Sequence, residues 1–220
     1  SFSDDNNITI IMELVTNGSL GSLLKKIRKS NGPRDYDDTS KQIILAGIAR
    51  GMKYLHDHNI IHRDLKPDNV LLDSNYHPKI TDFGLSKSFE DDHSSVQSKF
   101  CGTLIYSAPE ALQTGTCYNR KADVYSFGIL MYEVVTDRFP YPEYKSNKIT
   151  EYKFMNLVID EGKRPAFTVP VKESIKQLIE KCWSDKPEKR PSFTQIFESL
   201  TDFCSRKNMI TDDDCCLDNV

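Results

Sequence analysis

Apolar and polar positions alternate in blocks along the chain, and the spacing inside each block predicts an element. Residues 8–12, Ile-Thr-Ile-Ile-Met, form a continuous β-rich run, the signature of a buried strand. Asn17-Gly18-Ser19 breaks that run and supplies a helix cap. Leu20, Leu23, Leu24 and Ile27 follow at i, i+3, i+4 and i+7, one apolar stripe on a helix that Ser30-Asn31-Gly32-Pro33 ends. A long helix is predicted over 39–56, with Ile44, Ile48, Met52 and Leu55 on one side. From 59 to 87 the periodicity changes. Short apolar runs (Ile60-Ile61, 70–72 and 79–81) are separated by polar turns, which predicts short strands carrying functional loops. Residues 86–100 are polar, with an acidic Glu90-Asp91-Asp92 cluster and serines that include Ser94, Ser95 and Ser98, and are expected to form an exposed loop. From 122 to 136 the pattern is apolar nearly all round, which marks a helix buried on every side. Further helices are predicted at 147–161, 171–182 and 192–204. Beyond Cys204 the chain turns polar and acidic. One mostly helical domain over 1–204, with a polar acidic tail over 205–220, is the expected organisation.

Composition narrows the function classes. A net charge of −3 gives no electrostatic reason to expect a nucleic acid or an anionic membrane as partner. The longest apolar stretches, 43–49 and 127–132, are far too short to span a bilayer. The N-terminal region is acidic where a secretory signal would be basic, so a cytoplasmic location is expected. Six cysteines form no C-x-x-C pair, and free thiols in a reducing compartment are the expected state.

The candidate chemistry is concentrated in Ile61-His62-Arg63-Asp64-Leu65-Lys66-Pro67-Asp68-Asn69. An acid, two bases and an amide within seven residues suit a site that places a base, a cation and a metal ligand around one reacting phosphate. Thr81-Asp82-Phe83-Gly84 adds a second oxygen ligand on a hinge. Asn69 and Asp82 together suit Mg²⁺, which takes few protein oxygens and completes its shell with water and phosphate.

These two segments, followed by Ala108-Pro109-Glu110, resemble the signature set of eukaryotic protein kinases. Glu13-Leu14-Val15-Thr16-Asn17-Gly18 resembles the hinge of that family. Asp123-Val124-Tyr125-Ser126-Phe127-Gly128 resembles the start of its central helix, with Tyr125 where the family usually has Trp. Cys182-Trp183 and Arg190-Pro191-Ser192-Phe193 extend the likeness, and the Ser-Phe-Gly and Cys-Trp features look like the tyrosine-kinase-like group. The resemblance implies an α+β kinase-like fold, represented here mostly by the helical large lobe plus the hinge strand. It also implies transfer of the ATP γ-phosphoryl group to a protein hydroxyl with Mg²⁺. Lys66-Pro67 and Gly102-Thr103 are similar to serine/threonine kinases and not to tyrosine kinases.

Roles follow from the resemblance residue by residue. Asp64 is the implied catalytic base, Lys66 the cation on the moving phosphoryl group, and Asn69 and Asp82 the Mg²⁺ ligands. Thr103 is expected to tie the peptide-binding loop to Asp64 and Lys66. The Glu13 carbonyl and Val15 amide are expected on the adenine edge, with Leu71 as floor and Met12 as gatekeeper. Phe83 is expected to pack on His62. Glu110 and Arg190 are the implied buried ion pair that fastens the activation segment, and Asp123 is expected to hold the backbone of the catalytic loop. Arg63 implies control by an activation-loop phosphate. The usual acceptor position is Lys99 here; Ser98, Ser95 or Ser94, or the Glu90-Asp91-Asp92 cluster, are the candidates to meet Arg63, with an unmodified solvated loop as the alternative.

Only eleven residues precede Met12. The glycine-rich loop, the strand lysine and its partner glutamate are therefore expected to fall outside this sequence, and the chain is expected to be a fragment that binds Mg-ATP weakly on its own. The alternative function is a non-catalytic interaction module whose exposed upper face binds a peptide or another kinase.

Overall fold

The computed structural model describes residues 2–4, 7–9, 13–30, 32–33, 35–82, 87–88, 104–113, 119–146 and 149–205. Capping and stripe residues set the helix boundaries. In α1 (Leu20–Arg28) the Ser19 hydroxyl accepts the Ser22 amide at 3.2 Å, Leu20, Leu23 and Leu24 are buried, and Lys25, Lys26 and Arg28 place positive charge on the last turn. Helix α2 (Asp38–Asp57) starts from a reciprocal cap. Ser40 donates its amide to the Asp37 carboxylate at 2.9 Å, and the Asp37 amide donates back to the Ser40 hydroxyl. Its stripe of Ile44, Ile48, Met52 and Leu55 is buried. Helix α4 (Arg120–Thr136) is buried nearly all round, as its sequence pattern requires, and ends at Asp137 in the left-handed region with φ of 54°.

Helix α4 is the centre of the molecule. Helix α7 (Glu173–Cys182) lies against it, and α8 (Phe193–Ser205) lies along α2. The Phe193 ring sits 5.4 Å from Phe127 of α4 and 5.0 Å from His56 of α2, so one aromatic joins all three helices. A side chain on Gly128 would place Cβ 2.9 Å from the Cys182 Cβ, so only glycine permits the α4–α7 approach. Three short helices or helical segments complete the frame: α3 (Pro109–Leu112), α5 (Pro142–Lys145) and α6 (Glu151–Ile159).

Strands are short and antiparallel. Strand β1 (Phe2–Asp4) pairs with β2 (Asn7–Thr9) with Phe2 opposite Thr9. Strand β3 (Ile60–Ile61) pairs with β6 (Lys87–Ser88), and β4 (Val70–Leu72) pairs with β5 (Pro78–Ile80) with Val70 opposite Ile80. The architecture is α+β, with the helices dominant.

The differences from the sequence reading are local. The strand expected at 8–12 is described over Asn7–Thr9, and residues 10–12, including Met12, lie outside the described residues. Lys87–Ser88, expected within an exposed loop, pairs with Ile60–Ile61, while the remainder of 86–100 lies outside the described residues. The helix expected at 147–161 is shorter because Thr150 caps it, accepting the Lys153 amide. Helices α3 and α5 were not expected; each opens on a proline in its first turn, where the missing amide hydrogen costs nothing. The tail after Ser205 lies outside the described residues.

Candidate active site

Helix α4 carries one buried carboxylate in its first turn, Asp123, which is 1% exposed. A buried carboxylate is tolerated when donors surround it, and here three do. The His62 and Arg63 amides each donate at 2.9 Å, one to each carboxylate oxygen. The His56 Nε2 lies 2.9 Å from the same oxygen that His62 uses. The helix N-terminus adds its positive end. Arg63 takes φ of 71°, a left-handed backbone uncommon for a side chain of this size, and this turn presents two successive amides to one carboxylate.

That turn delivers Asp64. Its side chain is buried, and its Oδ2 receives the Lys66 ammonium at 2.5 Å and the Asn69 amide at 3.0 Å. Asn69 also donates to the Asp64 carbonyl at 2.8 Å. Both partners are acceptors, so the Asn69 amide nitrogen must face Asp64 and its carbonyl oxygen faces away. His62 is fully buried, with Nε2 3.1 Å from the Thr81 carbonyl and Nδ1 3.3 Å from the Asp64 amide. The first contact needs a donor and the second an acceptor, which fixes the neutral imidazole with its proton on Nε2.

Pro67–Asn69 forms a single 3-10 turn that runs directly into β4. Gly21 of α1 supports it from below, where a Cβ would come within 2.5 Å of the Asp68 carboxylate. The Thr81 amide donates to the Asn69 carbonyl at 3.0 Å, so Asp82 follows immediately beside Asn69. Asp82 has φ of 67°, is exposed, and its carboxylate has no partner among the described residues. Backbone pairing thus brings the segment of Asp82 beside Asn69, and each of the two residues offers a side-chain oxygen. No cluster of three or more His, Cys, Asp or Glu suited to a metal occurs among the described residues. A small two-donor site of this kind suits a cation that is completed by phosphate and water.

The hinge segment lies along β4. The Leu72 amide donates to the Gly18 carbonyl at 2.9 Å, the Asn17 amide to the Leu72 carbonyl at 3.2 Å, and Ser19 bridges to Leu71. Val15 and Leu71 are half-buried, and Glu13 is exposed and paired with Lys79 at 2.7 Å. Lys79 stands opposite Leu71 in the β4–β5 pair and bonds Glu13, which brings Glu13 beside the strand that follows the Asp64–Asn69 loop. Thr103, Phe83, Ser94, Ser95 and Ser98 lie outside the described residues.

Arg190, buried to 0% of its side chain, meets Glu110 through two parallel bonds of 2.5 and 2.9 Å. It also donates to the carbonyls of Ser184 and Lys121. Tyr125 lies between two guanidinium groups, Arg164 at 5.0 Å and Arg190 at 5.2 Å from its ring. An aromatic face is what this position uses, which a tyrosine supplies.

Two features went unread in the sequence. His56, in the last turn of α2, is buried and is the third partner of Asp123. Its place beside Met52 and Leu55 on the buried side of α2 was the available signal. Glu133 of α4 is 2% exposed and accepts from Arg28 and from the Tyr106 hydroxyl, each at 2.6 Å. Burial pushes the Glu133 carboxyl above its usual range and the Tyr106 hydroxyl well above its own. A lone glutamate in an apolar helix was the only hint.

The protein kinase domain family matches residues 1–200. Three relatives come from Dictyostelium discoideum. One, named a probable serine/threonine-protein kinase, is 38% identical over 199 residues, covering 89% of this chain and 14% of the relative. The dual specificity protein kinase shkD is 35% identical over 193 residues, covering 87% of this chain and 25% of the relative. The dual specificity protein kinase shkB is 35% identical over 191 residues, covering 86% of this chain and 28% of the relative. This chain thus spans between about a seventh and a little over a quarter of those proteins. With a match of this extent, which takes in the loop pinned to buried Asp123, the chain belongs to the protein kinase domain family.

Proposed function

We propose that this chain carries the phosphoryl-transfer half of an ATP-dependent protein serine/threonine kinase. The observation that carries the reading is the Asp64 carboxylate, held by Lys66 and Asn69 in a loop that Asp123 fixes to the central helix. A serine or threonine hydroxyl of a protein substrate attacks the γ-phosphorus of ATP. A new P–O bond forms, the bond to the β–γ bridging oxygen breaks, ADP leaves, and the hydroxyl proton passes to Asp64. Lys66 offsets charge on the transferred group. A positioned base of this kind contributes about 10²–10⁴ in rate.

The Asn69 side-chain oxygen and the Asp82 carboxylate would hold Mg²⁺, which neutralises phosphate charge when bound. On this reading the adenine lies along the hinge, with the Glu13 carbonyl and Val15 amide at its edge, Met12 behind it and Leu71 beneath it. Thr103 joins the substrate loop to Asp64 and Lys66. Lys66-Pro67 and Gly102-Thr103 support serine and threonine as acceptors, as does the name of the relative that is 38% identical. A cytoplasmic location agrees with the free, buried thiol of Cys182. No described helix is long and apolar enough to cross a membrane.

The test is phosphoamino-acid analysis of a protein substrate incubated with Mg-ATP and the protein as its own cell makes it. Phosphoserine or phosphothreonine is expected, with loss by at least about 100-fold in Asp82→Ala. Incorporation on tyrosine alone, or transfer that ignores Asp82→Ala, would contradict the proposal.

A further inference from the structure

A cavity of about 320 Å³ opens where the end of α4 meets the segment 162–168, on the side of the molecule defined by the C-terminal end of that helix. Its wall is apolar and stiff, formed by Tyr132, Phe139, Tyr141 and Pro165. Its rim is basic: Arg138, Lys163 and Arg164 against the single carboxylate of Glu143. Glu143 is already committed to Lys163 at 2.9 Å, and Arg164 is committed to Asp185. Arg138 is exposed and has no carboxylate partner among the described residues. An apolar well with excess positive charge at its mouth selects a ligand with one apolar side chain flanked by acids.

This chain supplies such a sequence. Residues 211–218 read Thr-Asp-Asp-Asp-Cys-Cys-Leu-Asp, four carboxylates around one leucine with no base among them. The path of α8 sets the level from which the segment starts. Helix α8 begins with Phe193 against His56, in the last turn of α2, and then packs along α2. It must therefore run antiparallel to α2, and its thirteen residues end about 18 Å back, level with the first turns of α2. There Lys41 bonds Asp137 at 2.6 Å, one residue before Arg138. From Ser205 to Asp213 there are eight residues, which span up to about 26 Å when extended.

We propose that the acidic segment 211–218 docks in this cavity of its own chain, with Leu217 in the apolar well and Asp214 and Asp218 beside Arg138 and Lys163. The site is independent of the phosphoryl-transfer residues, and nothing in the proposal depends on catalysis.

The experiment is amide hydrogen exchange on the full chain, read at 138–143 and 162–168. Three samples are compared: wild type, a tail variant with Asp212, Asp213, Asp214 and Asp218 each changed to Asn, and Arg138→Glu. Expected is exchange about five-fold faster at both segments in the two variants, with α2 and α8 unchanged. Salt at 1 M, where the screening length falls to about 3 Å, should reproduce part of the effect in wild type. A peptide of residues 209–220 added to the tail variant should restore protection. Equal exchange in wild type and the tail variant would overturn the proposal. So would a response to Arg138→Glu alone, which would mean that another ligand uses the cavity. Protection that grows with protein concentration would also overturn it, in favour of the tail of a second copy.

Discussion

The loop that carries Asp64 runs into β4 and the hinge that carries Glu13 lies alongside it, yet they are held by different means. The loop is fixed by side chains: buried Asp123 receives two loop amides and His56, and Asn69 and Lys66 close on Asp64. The hinge is fixed by its backbone, through Asn17, Gly18 and Leu72. Of its side chains, Asn17 donates to the Asp73 carbonyl at 2.8 Å, while Leu14 is 86% exposed and Glu13 pairs with Lys79 at the surface. The difference separates what must be placed to within an ångström from what must only present an edge. On the proposed function, a reacting carboxylate at Asp64 needs its position set by the core, whereas an adenine edge at the hinge meets main-chain groups that any side chain can carry.

The largest effect expected from breaking this contrast is at Asp123. Asp123→Ala leaves two backbone amides and the His56 ring without an acceptor in a buried site, which should cost about 3–5 kcal/mol in chemical denaturation. Arg190→Ala comes next, at about 3 kcal/mol, since it strands Glu110, which is 20% exposed and can recover some water. Its melting temperature should fall while Asp123-dependent protection of the loop amides remains.

A smaller effect lies on the alkaline side. Burial pushes the Cys182 thiol, where α7 meets α4, up to about 12 and raises the Tyr125 hydroxyl of α4. Groups raised in the folded state give stability that is complete below their unfolded values and is lost as pH climbs past them. Stability should therefore decline from about pH 9 towards pH 12. The thiol alone should account for about 1 kcal/mol by pH 10. Cys182→Ala should flatten that limb of the pH–stability curve even if it lowers stability at neutral pH. The smallest effect is expected on the hinge. Lys79→Ala removes an exposed ion pair and should change stability by less than about 0.5 kcal/mol, with any loss screened by salt.

The sequence made the helices of the frame legible because their apolar residues recur at helical spacing and their ends carry caps, as with Ser19 before α1 and the continuous apolar face of α4. The reaction loop was legible because acid, base and amide lie within one short segment, and the structure brings Asp64, Lys66 and Asn69 together. Asp123, Glu110 and Arg190 were legible through resemblance alone; no local pattern links Glu110 to a residue eighty positions later. What escaped was pairing over distance without such a guide. His56 reaches Asp123 across 67 residues and Arg28 reaches Glu133 across 105, and periodicity encodes neither. The single-turn helices α3 and α5 escaped because four residues are too few to show a period, and only the leading proline marked them.

The most direct test is phosphoryl transfer from Mg-ATP to a serine- or threonine-containing protein by wild type and Asp64→Asn, with thermal melts of both run in parallel. A fall in transfer of about 10²–10⁴ with matching melts is the expected result, because the amide keeps the shape of the carboxylate and cannot take the proton. Transfer retained within a few-fold by a folded Asp64→Asn protein would show that the carboxylate held by Lys66 and Asn69 is not the base.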